Sequence, residues 1–147
     1  NLPTASATNR GALSTTDWSR FDGFKTQTIG VTVDGSGGVI TAGNKGYVRI
    51  PYACTITFWS IITTGGGSGA SLSFDILRAN NAIPTLSIIG AGGTKPNISG
   101  STQLSPNTAP SLWTSVILNA NDILAFNVDA GAAVYSWAIL QLTITRT

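Results

Sequence analysis

The chain contains no histidine, no glutamate and no methionine, and its one cysteine is Cys54. Without histidine it lacks the commonest general base and metal ligand at neutral pH. Any Ser–His or Cys–His nucleophile pair within one chain is excluded as well. A single cysteine rules out an internal disulfide framework. Lying mid-strand among apolar neighbours, Cys54 reads as a small buried hydrophobe, not a reactive thiol. The carboxylates are six aspartates: Asp17, Asp22, Asp34, Asp75, Asp122 and Asp129. A glycosidase needs two of them facing one bond. Asp34, Asp122 and Asp129, however, stand in turn sequences, where aspartate typically bonds its own backbone. No catalytic residue, metal ligand or cofactor site is expected, and the protein reads as a non-enzyme.

Charge is scarce too. Only 10% of residues are charged and the net charge is +2, against the usual quarter. The basic residues are scattered and form no stripe interleaved with aromatics, so nucleic-acid binding is not expected. No apolar run reaches the length of a membrane span, so no membrane insertion is expected. No secretory leader is recognisable. The chain opens on Asn1, not Met, which reads as a processed product or a piece of a longer protein. Two glycine-rich stretches, at residues 65–69 and 90–95, lack the spacing and the following helix of a phosphate loop. The N-I-S sequence at Asn97 matches a glycosylation sequon, a short and common pattern.

What remains is hydrophobic and hydroxyl-rich. Of 147 residues, 42% are hydrophobic, enough for the core of one domain. The most strand-like stretch is GYVRIPYACTITFWSIIT, residues 46–63, interrupted at Pro51, which marks an edge or a bulge. Its alternation puts Thr55, Thr57, Trp59 and Ile61 on one face and Cys54, Ile56, Phe58 and Ser60 on the other. Partner strands are expected over residues 123–129 and 134–145, with Ala138, Leu140, Leu142 and Ile144 sharing a face. Further strands are expected over 29–34, 39–42, 71–78 and 86–89, with a strand or irregular segment at 112–118. Turns are expected at 34–38, 43–46 and 119–122. About eight short strands at this spacing predict an all-β sandwich, most specifically a jelly roll of two four-stranded sheets. Residues 29–147 form that domain.

Residues 1–28 read as an extended lead-in followed by one short helix. Ser14 and Asp17 have the spacing of a capping box, and Trp18 and Phe21 share a helical face. Two aromatics on so short a helix must pack on the sandwich or on another subunit. Residues 90–111 read as a long exposed loop, the best place for ligand contact through Lys95 and Asn97. Trp113 and Tyr135, near loop–strand junctions, are the aromatics best placed to stack on a sugar, although core packing competes for both.

Several segments look familiar. LSTTDWSRF at residues 13–21, preceded by LPTAS at 2–6 and NRGA at 9–12, resembles the L-S-x-x-D-W-x-x-F element of bacteriophage tail-fibre and other virion-surface proteins. GYVRIPYACTI at 46–56, Asp75-Ile76, Lys95-Pro96, Trp113 and DILAFNVD at 122–129 resemble a β-domain found at the ends of such proteins. The resemblance implies a non-enzymatic structural protein on the virion surface, assembled in the host cytoplasm and usually homotrimeric, with other virion proteins as partners. The leading role is the distal, receptor-binding domain of a tail fibre, meeting a host cell-surface glycan or protein. Alternatives are a capsid decoration or head-fibre protein seated on the capsid lattice and, behind both, a carbohydrate-binding module or hydrolase. In a trimer, Trp18 and Phe21 would meet their copies near the axis.

Overall fold

A computed structural model describes residues 14–64, 67–129 and 134–147, with the side chain of Asp22 left undescribed. The expected lead-in at 1–13, the first two residues of the 65–69 glycine stretch and the 130–132 part of the last turn lie outside the described residues. The chain is an all-β sandwich with one short helix. Helix α1 (Thr15–Gly23) is followed by β1 (Thr26–Asp34), β2 (Gly43–Arg49), β3 (Cys54–Thr63), β4 (Ser71–Asn80) and β5 (Leu86–Ser87). Then come β6 (Asn97–Ser99), β7 (Leu104–Thr108), β8 (Ile117–Leu118), β9 (Asp122–Val128) and β10 (Trp137–Arg146).

Two antiparallel sheets face each other. Sheet one has the order β1-β10-β3-β7, with β8 also pairing β3; sheet two has β2-β9-β4-β5, with β6 also pairing β4. β7 pairs with Trp59, Ile61 and Ile62 of β3, and β8 with Cys54 and Thr55. They therefore occupy one edge position in two pieces. β5 and β6 do the same along β4, at Leu77–Arg78 and Ser71–Ser73. The ten segments reduce to eight strand positions, four per sheet, and successive positions alternate between the sheets except where β5 and β6 follow β4 in the same one. This is the jelly-roll arrangement. The core between the sheets takes Ala138, Leu140, Leu142 and Ile144 from β10, Leu72, Phe74 and Ile76 from β4, and Leu124, Phe126 and Val128 from β9, all fully or almost fully buried.

The structure corrects four expectations. First, residues 46–63 are not one strand. β2 and β3 lie in different sheets, and Pro51 sits in the crossing between them, where no ladder hydrogen bond is lost. Second, the faces of β3 exchange midway. Cys54 and Ile56 point inward, and then Trp59, Ile61 and Thr63 do. The pairing of β3 with β10 slips between Ile56 and Phe58, leaving Thr57 as an extra residue whose Oγ donates to Thr143 O at 3.2 Å. Such a bulge inverts the alternation beyond it and puts Phe58 outside. Third, residues 43–46 are not a turn but the start of β2, with a register slip between Asn44 and Gly46. No strand forms at 39–42. Fourth, residues 90–111 are not a free loop, since they hold β6 and all of β7. Of the expected strand at 86–89 only β5 forms, and of 112–118 only β8.

Gly30 on β1 shows how closely the first sheet packs. A Cβ there would come 2.1 Å from Leu140 O on β10. Above it runs a shallow groove of about 330 Å³ bordered by Thr28, Thr32, Ile139 and Gln141.

Candidate functional site

The four residues expected to touch a ligand do not form one site, and three of them fasten residues 90–111 to the sandwich. Lys95 Nζ lies 2.5 Å from Asp129 Oδ2 and 3.2 Å from Asp75 Oδ2. The hydrogen bond to Asp129 does most to raise its pKa above the ordinary lysine value; burial opposes this, and Asp75 adds to it. Trp113 is half-buried against the core and donates from Nε1 to Thr94 O at 2.8 Å. Tyr135 is a correction: it is fully buried, its hydroxyl donates to Gly100 O at 2.9 Å, and burial pushes its pKa up. It offers nothing to a ligand arriving from solvent. Only Asn97, on the edge strand β6, remains an exposed side chain free of such a fastening role. Backbone bonds from Phe74 N to Pro96 O, Gly100 N to Ala70 O and Thr63 N to Gln103 O complete the attachment of this segment.

The remaining carboxylates serve structure. Asp34 Oδ1 accepts from Ser36 N at 2.7 Å. Asp122, buried, accepts from Asn119 N at 2.7 Å and Asn80 Nδ2 at 3.1 Å, with Arg78 Nη1 3.8 Å away. Asp75 Oδ1 accepts from the Ser87 hydroxyl at 2.6 Å. Lys95 occupies the space between Asp75 and Asp129, the pair its two contacts bring together. Among the described residues no group of three potential ligands stands close enough to hold a metal ion. Burial, helped by the Asp122 charge, pushes the Cys54 thiol up.

Helix α1 forms as its spacing predicts. The Ser14 hydroxyl accepts from Asp17 N at 3.1 Å and donates to the Asp17 carboxylate at 2.6 Å, closing the first turn. Its aromatics do not fold back on their own sandwich: Trp18 is 64% and Phe21 58% exposed, and Phe24 beyond the helix is also exposed.

The residue pattern alone does not pick out a cleft on the outer face of sheet two. It has a volume of about 370 Å³ and is lined by Tyr47, Ile123 and residues Asn81, Ala82, Ile83 and Pro84. Ile123 of β9 forms the floor. Tyr47, on the edge strand β2, and Ile83, in the β4–β5 connection, stand 57% and 76% exposed. Two residues along β2, and so on the same face as Tyr47, Arg49 pairs opposite Ile123. Its Nη2 donates to Asn81 Oδ1 at 3.1 Å and to Asn121 Oδ1 at 2.8 Å. Both acceptors are neutral amides, and both asparagines sit at positive φ, 47° and 70°, which asparagine tolerates better than most residues. Two signals for the cleft were present in the sequence. Tyr47 and Arg49 alternate outward in a strand, and Ile83 is an apolar residue placed in a turn between Asn81 and Pro84.

In comparisons with known proteins, the chain matches no family model, no curated protein and no solved structure.

Proposed function

We propose that the protein is a non-enzymatic bacteriophage virion component, the distal, host-facing domain of a tail fibre, which works as a homotrimer. One observation carries this reading: the outer face of sheet one has no charge. Between Asp34 and Arg146, at the ends of β1 and β10, no strand of that sheet holds a charged residue. A row of side chains, Thr32, Ile139, Ile62 and Leu104, runs across all four of its strand positions. Phe58, Ile62 and Leu104 are exposed in the single chain. A monomer bathed in water gains nothing from such a face, whereas a subunit in a closed assembly buries it without desolvating ions. The exposed Trp18 and Phe21 extend the same need for cover. Sheet two, with its charges and cleft, is then left to face the outside and a cell-surface receptor.

Antibody labelling of the particle in the electron microscope tests the location. Gold at the fibre tips is expected. Gold over the capsid lattice would overturn the tail-fibre reading in favour of a capsid-bound protein.

A further inference from the structure

The cleft on sheet two suits a ligand that is apolar on one flat side and anionic at one end. Its floor and walls are the Ile123 side chain, the exposed ring of Tyr47 and the exposed Ile83, so it presents aromatic and aliphatic surface with few polar atoms of its own. A volume of about 370 Å³ is at the small end of ligand sites, the scale of one or two sugar rings. At one end stands Arg49. Its two hydrogen-bond acceptors are uncharged, and among the described residues it has no carboxylate partner. By contrast, Arg78 on β4 and Lys95, just ahead of β6, are both paired with aspartates. Both bonds to the asparagines leave from Nη2, so they hold the guanidinium in place while Nε and Nη1 keep donor capacity. A held guanidinium with donors to spare binds a carboxylate as a fork. The missing countercharge therefore points to an anion supplied from outside, and the ring beside it to a flat partner with apolar C–H faces.

We propose that this cleft binds a uronic acid residue of an acidic polysaccharide. The pyranose ring stacks on Tyr47 between Ile83 and Ile123, the carboxylate pairs with Arg49, and the Asn81 amide holds a ring hydroxyl. This deepens the receptor-binding reading above and rests on it for the biological source of the sugar, but not for the binding chemistry.

The test is a titration of the full chain, ¹⁵N-labelled, with the methyl glycosides of glucuronic and galacturonic acid. The methyl glycosides of glucose and galactose serve as neutral controls. Amide shifts confined to residues around Tyr47, Arg49, Asn81 and Ile123 are expected for at least one uronate, with millimolar affinity. The matched neutral sugar should bind about tenfold or more weakly, the effect of one charge-assisted pair. Arg49→Gln should abolish the preference for the acid while leaving weak binding of both sugars. Tyr47→Ala should remove both. Each variant's own amide spectrum reports whether it is folded, and Ile83→Ser, in an exposed turn, is a second variant expected to weaken both sugars. Equal affinity for acid and neutral sugar, shifts located elsewhere, or no shifts with either uronate at tens of millimolar would each overturn the proposal. Gold labelling at the capsid together with uronate binding would reject only the tail-fibre reading; labelling at fibre tips without uronate binding would reject only this one.

Discussion

The two sheets of the sandwich share one core, yet their outer faces follow opposite rules. Sheet two carries Arg49 and Asp75 outward and Lys45 at the register slip of β2, while Arg78 and the buried Asp122, on the core side of β4 and β9, pair with each other. Sheet one carries charge only at the terminal residues Asp34 and Arg146. Its outward side chains are hydroxyls, Gln141 and apolar groups. β1, an edge strand, has no lysine and no proline among Thr26–Asp34, although soluble proteins usually guard such edges against pairing with neighbours. The lesson is that neutrality is local to one surface. A composition of 10% charged residues averages one face that carries charge with another that carries almost none.

The sharpest way to break the contrast is to put a charge on the uncharged face. Ile139→Lys, in the middle of the apolar row, should turn a trimer into monomers at micromolar concentration, because an unpaired ion at each copy of the contact costs about 3–5 kcal/mol. Asn127→Lys, outward on sheet two, should leave the trimer intact. Light scattering on both variants decides between them, and a wild-type chain that is already monomeric would sink the assembly reading.

A smaller effect is expected at the clamp of sheet two. Lys95→Met leaves Asp75 and Asp129 facing each other and should cost about 1 kcal/mol in urea unfolding, kept low by solvent screening at a part-exposed site. The same clamp sets a pH dependence. The Lys95 pKa is raised on folding, so its stabilisation is fully present below the ordinary value of 10.5 and is lost as pH rises through the raised one. Lys95→Met should abolish that alkaline loss, whereas Gln141→Met on sheet one, which keeps the clamp, should retain it. The smallest effect concerns Cys54. It is fully buried and its thiol is pushed up by burial and by Asp122, so labelling by a maleimide at pH 7 should be slow until the chain is unfolded.

Much of the fold could be read in advance because the core strands alternate cleanly. Leu72, Phe74 and Ile76, and Ala138 to Ile144 in steps of two, all point inward as their pattern predicts. β3 could not be read beyond Thr57, because a bulge leaves no mark in composition and reverses every later side chain. Pro51 was visible as a break, but a break within a sheet and a crossing between sheets require the same residue. The candidate site was harder. Lys95, Trp113 and Tyr135 attract attention as chemically able side chains, and their partners Asp129, Thr94 O and Gly100 O become evident only when 90–111 lies along the sandwich. Tyr47 and Arg49 gain meaning from Ile83 and Asn81, more than thirty residues away, and no local pattern encodes that meeting.

The position of β10 has a consequence for how the protein is made. It follows every other described strand in sequence, yet it lies in the middle of sheet one, with β1 on one side and β3 on the other. While a ribosome is still extending the chain, neither neighbour has its partner. Thr32 waits for Ile139, and closing such distant pairs is slow. Two bare, uncharged edges are exposed throughout that interval, the condition in which nascent β proteins stick to one another. Sheet one cannot be finished until residues 137–146 have emerged, so a contact made through its outer face has to wait for the last described strand.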